Sequence, residues 1–224
     1  MTTLVQEAID GTAAGVCVQP EALPSLFLKR IELGGLFRNV TVLNFPGQTE
    51  RAPAALYKAT QEALNARADD IDLVVPRRYF AGNAKKAKNL ISACFQAVSE
   101  NPHSALKIIL ETGDYFNEKG ELDARALEDS SHVCLESDVH FLKTCTGKHP
   151  TRPGADPESL VVMCRAIRDF GKHAGIKVSG GVSTLEKADA ALKVVSRVLG
   201  SDFVTPRHVR LGSSGLLRQG PSAY

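Results

Sequence analysis

The sequence predicts an α/β fold of the (β/α)8 TIM-barrel type, incomplete, with seven strands where closure needs eight. Three observations predict it. Strand-like and helix-like stretches alternate seven times along the chain, which argues a parallel sheet with helices packed outside it. The strands recur roughly every 25 to 35 residues, the span of a βαβ unit. Their polar residues gather where strands end, which in a barrel is the face that carries active sites. A doubly wound open sheet competes with this, but no Gly-x-Gly-x-x-Gly turn follows the first strand. One domain spanning residues 1–224 is expected.

Taken in order, Thr3-Leu4-Val5-Gln6 has the form of a capping box, and predicts a short helix ending before Gly11. Gly15-Val16-Cys17-Val18 is the first strand, stopped by Gln19-Pro20. A helix runs from Glu21 towards Gly34-Gly35, and Val40 to Leu43 is the next strand, ending at Asn44-Phe45-Pro46-Gly47. Pro53 to Ala66 has apolar residues at helical spacing. Ile71 to Pro76 is a strand carrying one carboxylate, Asp72; Ala84 to Val98 is helical; Leu106 to Leu110 is a strand ending in Glu111-Thr112-Gly113. A weaker helix spans Asp123 to Leu135.

The fifth strand, within Val139 to Lys148, runs into a Thr/Gly turn and plants Lys143 inside an apolar run. Asp156-Pro157-Glu158 is an N-cap followed by proline at the first helical position, opening a helix to about Ala174. Ile176-Lys177-Val178-Ser179-Gly180-Gly181 repeats the design of a lysine in a strand before glycines. A second capping box, Ser183 to Glu186, opens a helix to Leu199, and His208 to Leu211 is the last strand, ending at Gly212-Ser213-Ser214-Gly215.

Bulk properties bound the function. At 43% hydrophobic and 23% charged residues, the composition is that of an ordinary globular protein. A net charge of +2 makes no case for a nucleic-acid or membrane surface. No signal-like or membrane-spanning run is expected. Five scattered cysteines suit reduced core thiols in a cytoplasmic protein. The six histidines lack metal-ligand spacing, so neither metal nor cofactor is expected.

Lysine is almost never fully buried without a reason. A lone strand lysine is commonly an edge residue or a snorkelling stem, but two of them, each before a glycine turn, point to an amine doing chemistry. If Lys143 and Lys177 sit on neighbouring strands, two ammonium groups about 5 Å apart repel by roughly 3 kcal/mol at an effective dielectric near 20. That lowers the pKa of one of them by about 2 and makes it a nucleophile able to form a Schiff base with a carbonyl. Asp72 can move protons through a water; the competing role is a buried carboxylate bonded to a barrel lysine for structure. Gly180-Gly181 and the turn at Gly212 to Gly215 lie where many barrels bind phosphate. Gly147-Lys148 could add a point charge there, and simple strand termination is the alternative.

Phe-Leu-Lys-Thr-Cys-Thr-Gly-Lys, Lys-Val-Ser-Gly-Gly-Val, Ile-Asp-Leu-Val-Val-Pro, Asn-Phe-Pro and the final Ser-Ala-Tyr together resemble the deoxyribose-phosphate aldolase family, class I aldolases on a (β/α)8 barrel. The similarity runs along nearly the whole chain in order. It implies reversible cleavage of 2-deoxy-D-ribose 5-phosphate to D-glyceraldehyde 3-phosphate and acetaldehyde, with a small phosphorylated sugar as partner. It puts the Schiff base on Lys143, the pKa-lowering lysine at Lys177 and the acid/base relay at Asp72. Phosphate contacts carry over to Gly147, Lys148, Gly180, Gly181 and Ser214, a sugar contact to Thr146, a place near the substrate to Cys17, and a tail contribution to Tyr224.

The chain also departs from the family. Its first strand, with an Asp-x-Thr motif, is missing, and the last helix is reduced to Leu216 to Pro221. Ser183 stands where the family has arginine, and Val178-Ser179 where it has Pro-Ala. Three expectations follow from the gap: an active aldolase whose opening is tolerated or filled by a neighbouring subunit in a homo-oligomer; a non-catalytic or decayed sugar-phosphate-binding paralogue; or a missing strand encoded upstream of Met1. Retention of Asp72, Lys143 and Lys177 favours catalysis.

Overall fold

A computed structural model describes residues 1–45, 51–82, 84–171 and 173–219. Among them seven parallel strands form one sheet in the order β1-β2-β3-β4-β5-β6-β7. The strands are β1 (Gly15–Val18), β2 (Arg38–Leu43), β3 (Asp70–Val74), β4 (Ala105–Ile109), β5 (Phe141–Lys143), β6 (Gly175–Ser179) and β7 (Val209–Gly212). Each pairs with the next in sequence, the arrangement produced when every crossover winds the same way. The sheet curls into a half-barrel. The helices are α1 (Thr2–Asp10), α2 (Leu23–Glu32), α3 (Pro53–Asn65), α4 (Lys85–Ser99), α5 (Ala124–Leu135), α6 (Pro157–Asp169) and α7 (Leu185–Leu199). None of the described helices is long and apolar enough to cross a membrane.

Alternation along each strand divides the sheet into two faces. Ile71, Leu73, Leu106, Ile108, Leu142, Ile176, Val178 and Val209 belong to the main hydrophobic cluster together with side chains of α3 to α7. The intervening residues of β3 to β6 include Asp70, Asp72, Lys107, Lys143 and Lys177, and all five are buried. Charge thus replaces apolar filling on the concave face. A smaller cluster of Val5, Ala8, Val16, Leu26 and Phe37 serves α1, β1 and α2 separately.

Several boundaries differ from the sequence expectation. The α1 helix starts at Thr2 with no side-chain cap, so the expected capping box at Thr3 does not form. Pro20–Ala22 is a 3-10 turn ahead of α2. The β3 strand begins one residue earlier than expected and so carries two carboxylates, Asp70 and Asp72. The α6 helix stops at Asp169, and its N-terminus is as expected: Asp156 accepts from the amides of Glu158 and Ser159, with Pro157 at the first position. Thr184, not Ser183, caps α7 by accepting from Lys187 N.

Among the described residues β1 and β7 have no strand between them. The segment after β7 ends in a short turn, Leu216–Gln219, which crosses to α1. Arg218 Nε reaches Glu7 Oε1 at 3.0 Å, and a Cβ on Gly11 would lie 2.7 Å from a Leu217 methyl. The expected reduction of the last helix is what the described part of this segment shows.

Candidate active site

Strand register assembles the site. The β3–β4 ladder sets Asp72 beside Lys107, and the β5–β6 ladder sets Lys143 beside Lys177. The four side chains meet on the concave face. Lys143 Nζ donates to Asp72 Oδ2 at 2.7 Å, and Lys177 Nζ donates to the same oxygen at 2.6 Å. Two contacts to one oxygen keep the two nitrogens no more than about 5.3 Å apart, their sum. The crowding expected of the two lysines is therefore present, but with a carboxylate between them.

Lys107, which the sequence reading did not single out, binds Asp70 Oδ2 at 2.7 Å. It also approaches Asp72 Oδ1 at 3.2 Å, an ion-pair contact without hydrogen-bond geometry, so Oδ1 has no hydrogen-bond partner among the described residues. Arg38 completes the layer below by donating to Asp70 Oδ1.

These contacts set the protonation states. Burial acts to raise the Asp72 pKa, but Lys177, Lys107 and Lys143 outweigh it and hold the carboxyl well below the usual carboxylate range. Burial likewise works against the Lys177 cation; Asp72 wins, and Lys177 lies above the ordinary lysine value. Lys177 is thus a cation held by Asp72.

The ends of β5 and β6 are tied together. Thr144 Oγ1 donates to Ser179 O at 2.9 Å and accepts from Ser179 N at 2.9 Å. Ser179 Oγ donates to Cys145 O at 2.5 Å. Ser179, one of the departures from the family pattern, therefore fastens the two lysine strands to each other.

Beyond these strands the glycine loops come together. Gly147 (φ +80°) and Gly180 (φ +87°) face each other, and a Cβ on Gly147 would make an ordinary contact, 3.6 Å, with Gly180 Cα. Gly181 (φ +68°) packs on Gly154. Lys148 is exposed beside them, and Ser214 is exposed on the next loop, two residues past β7. Thr146 is half-buried and bound to Glu111, whose pKa burial raises against the pull of the Thr146 bonds. Pro46, Gly47 and Tyr224 lie outside the described residues.

Cys17 departs from the expectation of a core thiol. It lies on the edge strand β1 and is exposed, because among the described residues no strand pairs with the free edge of β1. Crowding around the sulfur, followed by the Asp72 carboxylate, pushes the thiol pKa up; its exposure discounts the first effect. A cleft of about 1010 Å³ lies outside the sheet, lined by Arg77, Arg78, Lys88, Asp114, Asp129 and Glu136 among others. It contains none of Asp72, Lys143 or Lys177.

The sequence signals for the missed residues are visible in retrospect. Asp70 stands two positions before Asp72, and Lys107 occupies the same alternating phase of the neighbouring strand, so both face the interior with it. Glu111 is a carboxylate at the end of a strand, on the rim expected to carry function.

A fold of this kind has known counterparts. A deoxyribose-phosphate aldolase from Aeropyrum pernix, described as having a unique tetrameric structure, superposes with a TM-score of 0.76 at 20% identity, covering 99% of this chain and 83% of its own. A provisionally assigned deoxyribose-phosphate aldolase from Toxoplasma gondii ME49 gives 0.81 at 20% identity, covering 97% and 82%. A protein described as QR15, an aldolase, gives 0.73 at 20% identity, covering 97% and 86%. At these identities the likeness is one of fold. The sequence itself matches the model of the DeoC/LacD family aldolases over residues 1–203, and the chain belongs to that family.

Proposed function

We propose that the chain, acting as one domain over residues 1–224, is a Schiff-base aldolase that reversibly cleaves 2-deoxy-D-ribose 5-phosphate to D-glyceraldehyde 3-phosphate and acetaldehyde. The observation that carries this reading is the single carboxylate oxygen, Asp72 Oδ2, shared by Lys143 and Lys177. Family membership supports an aldolase; the sugar phosphate rests on the sequence resemblance and on the facing glycine loops.

In the cleavage direction Lys143, having given up its proton, attacks the C1 aldehyde, and loss of water leaves an iminium. A base then takes the C3 hydroxyl proton. The C2–C3 bond breaks, its electron pair flows to the iminium, and glyceraldehyde 3-phosphate departs. Protonation of the resulting enamine at C2 and hydrolysis release acetaldehyde and regenerate the amine. Lys177, kept cationic by Asp72, is held against the same carboxylate oxygen as Lys143. Asp72 passes protons through a water, and its Oδ1 accepts no hydrogen bond among the described residues. The backbone at Gly147, Gly180 and Gly181, with Lys148 and Ser214, receives the phosphate, and Cys17 borders the substrate. A cytoplasmic location and a homo-oligomeric state travel with this reading; the A. pernix enzyme is described as tetrameric.

The test is release of acetaldehyde from 2-deoxy-D-ribose 5-phosphate. Wild-type protein should turn over and Lys143→Met should not, while its melting curve remains cooperative. Turnover unaffected by the substitution would overturn the assignment.

A further inference from the structure

Glu111 follows β4 by two residues and lies in the left-handed region, φ +48°, a conformation strained for any residue with a side chain. The strained residue aims its carboxylate at one partner. Both oxygens lie 3.2 Å from Thr146 N, and Oε2 accepts from Thr146 Oγ1 at 2.5 Å. Thr146 Oγ1 in turn accepts from Lys148 N at 3.1 Å.

A hydroxyl has one proton and two lone pairs, and an ionised carboxylate only accepts. The Thr146 proton is therefore committed to Glu111 and one lone pair to Lys148. What is left is a single acceptor site. We propose that Glu111 is the positioning residue that sets the specificity of this site: by fixing Thr146 as an acceptor, it selects a ligand that presents a hydroxyl donor close to its phosphate over one that presents a carbonyl, an ether or a bare methylene there. This rests on the reading above in placing a sugar phosphate at the loop of Thr146, Gly147 and Lys148.

That loop has anchors besides Glu111. A Cβ on Gly113 would lie 2.7 Å from the His149 ring and 2.9 Å from Arg152 O, so the turn after β4 and the loop after β5 are already packed together. His149 Nε2 also lies 3.2 Å from Asp114 Oδ1. Replacing Glu111 by an apolar residue of similar length removes its bonds to the Thr146 hydroxyl and amide, freeing the hydroxyl to rotate, and leaves these other anchors in place.

The experiment is calorimetric binding of two phosphates: sn-glycerol 3-phosphate, and 1,3-propanediol monophosphate, which lacks only the middle hydroxyl. Wild-type protein should prefer the first by about tenfold, one hydrogen bond's worth. Glu111→Met and Thr146→Val should each reduce that preference to less than about twofold. A Glu111→Met protein that binds both ligands more weakly but keeps their ratio has lost only scaffolding and overturns the inference, as does wild-type protein that binds neither or binds them equally. Should Glu111→Met not fold, wild-type protein decides. The 2-fluoro analogue, which accepts but cannot donate, must bind as weakly as the propanediol phosphate, and tight binding of it contradicts the proposal. Acetaldehyde has no such hydroxyl, so its trapping on Lys143 should survive in Glu111→Met. Failed trapping in wild type counts against the aldolase reading; an unchanged binding ratio counts against Glu111 alone.

Discussion

Asp72 has two lysines on one oxygen and a third near the other, at zero exposure. It balances charges that would otherwise be buried unpaired. Removing one partner from such a cluster costs about 3–5 kcal/mol, because the remaining ions cannot reach water. Asp72→Asn should therefore lower unfolding free energy by about that amount in urea titrations. It should also lower kcat by about 10² to 10⁴, the range for losing a positioned acid or base. An unchanged urea midpoint would contradict the ion cluster. At this scale the sequence was legible for Lys143, Lys177 and Asp72, because each is a charged residue inside an apolar run. What it left open was the sign of the electrostatics. Repulsion between two lysines follows from adjacency alone, whereas the bridging carboxylate that raises Lys177 depends on a contact between residues 105 positions apart. Glu111 and Thr146 were hidden for the same reason: each looks like an ordinary strand-end residue until the β4 and β5 ends are brought together.

The elements place these residues, and two predictions belong to them. Strands β3 and β4 contribute Asp70, Asp72 and Lys107 to one ladder. Burial acts to raise Asp70 as it does Asp72, and Lys107 and Arg38 bring it down below the ordinary aspartate range. A carboxylate depressed in the folded state contributes stability that is present above its unfolded pKa and is lost as pH falls through the folded one. Melting temperature should therefore hold down to about pH 4 and fall steeply below it, with a shallower acid limb in Asp70→Asn. The same acid limb in both proteins would contradict this. The loops after β5 and β6 offer the second prediction. A Cβ on Gly180 would lie 2.3 Å from both Cys145 Sγ and Pro153 O, whereas Gly200, also at positive φ, has nothing within 4 Å. Gly180→Ala should thus cost more than Gly200→Ala, whose expected penalty is only the strain of its extended positive-φ backbone (φ 96°, ψ 153°), about 1–3 kcal/mol, and should also weaken phosphate binding in calorimetry. Periodicity, proline and glycine located nearly every element. It misplaced ends where a cap was decided by tertiary contact, as at Thr184, or where a strand gained a residue from its neighbour's register, as at Asp70.

For the whole molecule, seven ordered βα steps were readable from spacing, and the family resemblance led to the expectation that an eighth strand is lacking; the sheet of the described residues has seven. How the opening behaves was not readable, because it depends on how the first and last units meet. The α1–β1–α2 unit has its own small core, and Leu217 and Arg218 fasten the end of the described chain to α1. Regions with few buried contacts open at lower free energy than the main core. Amide hydrogen exchange should accordingly be fastest in the edge strands β1 and β7 and slowest in β3 to β6. Equal protection across the sheet would contradict an open edge. The interior charge cluster lies on the central strands, so the chemistry proposed for it does not depend on the part of the fold expected to open first.

That chemistry stands on Lys143 acting as the nucleophile beside a cationic Lys177. It is tested most directly by borohydride reduction in the presence of 2-deoxy-D-ribose 5-phosphate, followed by peptide mass spectrometry. The predicted result is one reduced adduct, on the peptide carrying Lys143, absent from Lys143→Met. No adduct in the wild-type protein, or an adduct that persists when Lys143 is replaced, would contradict it.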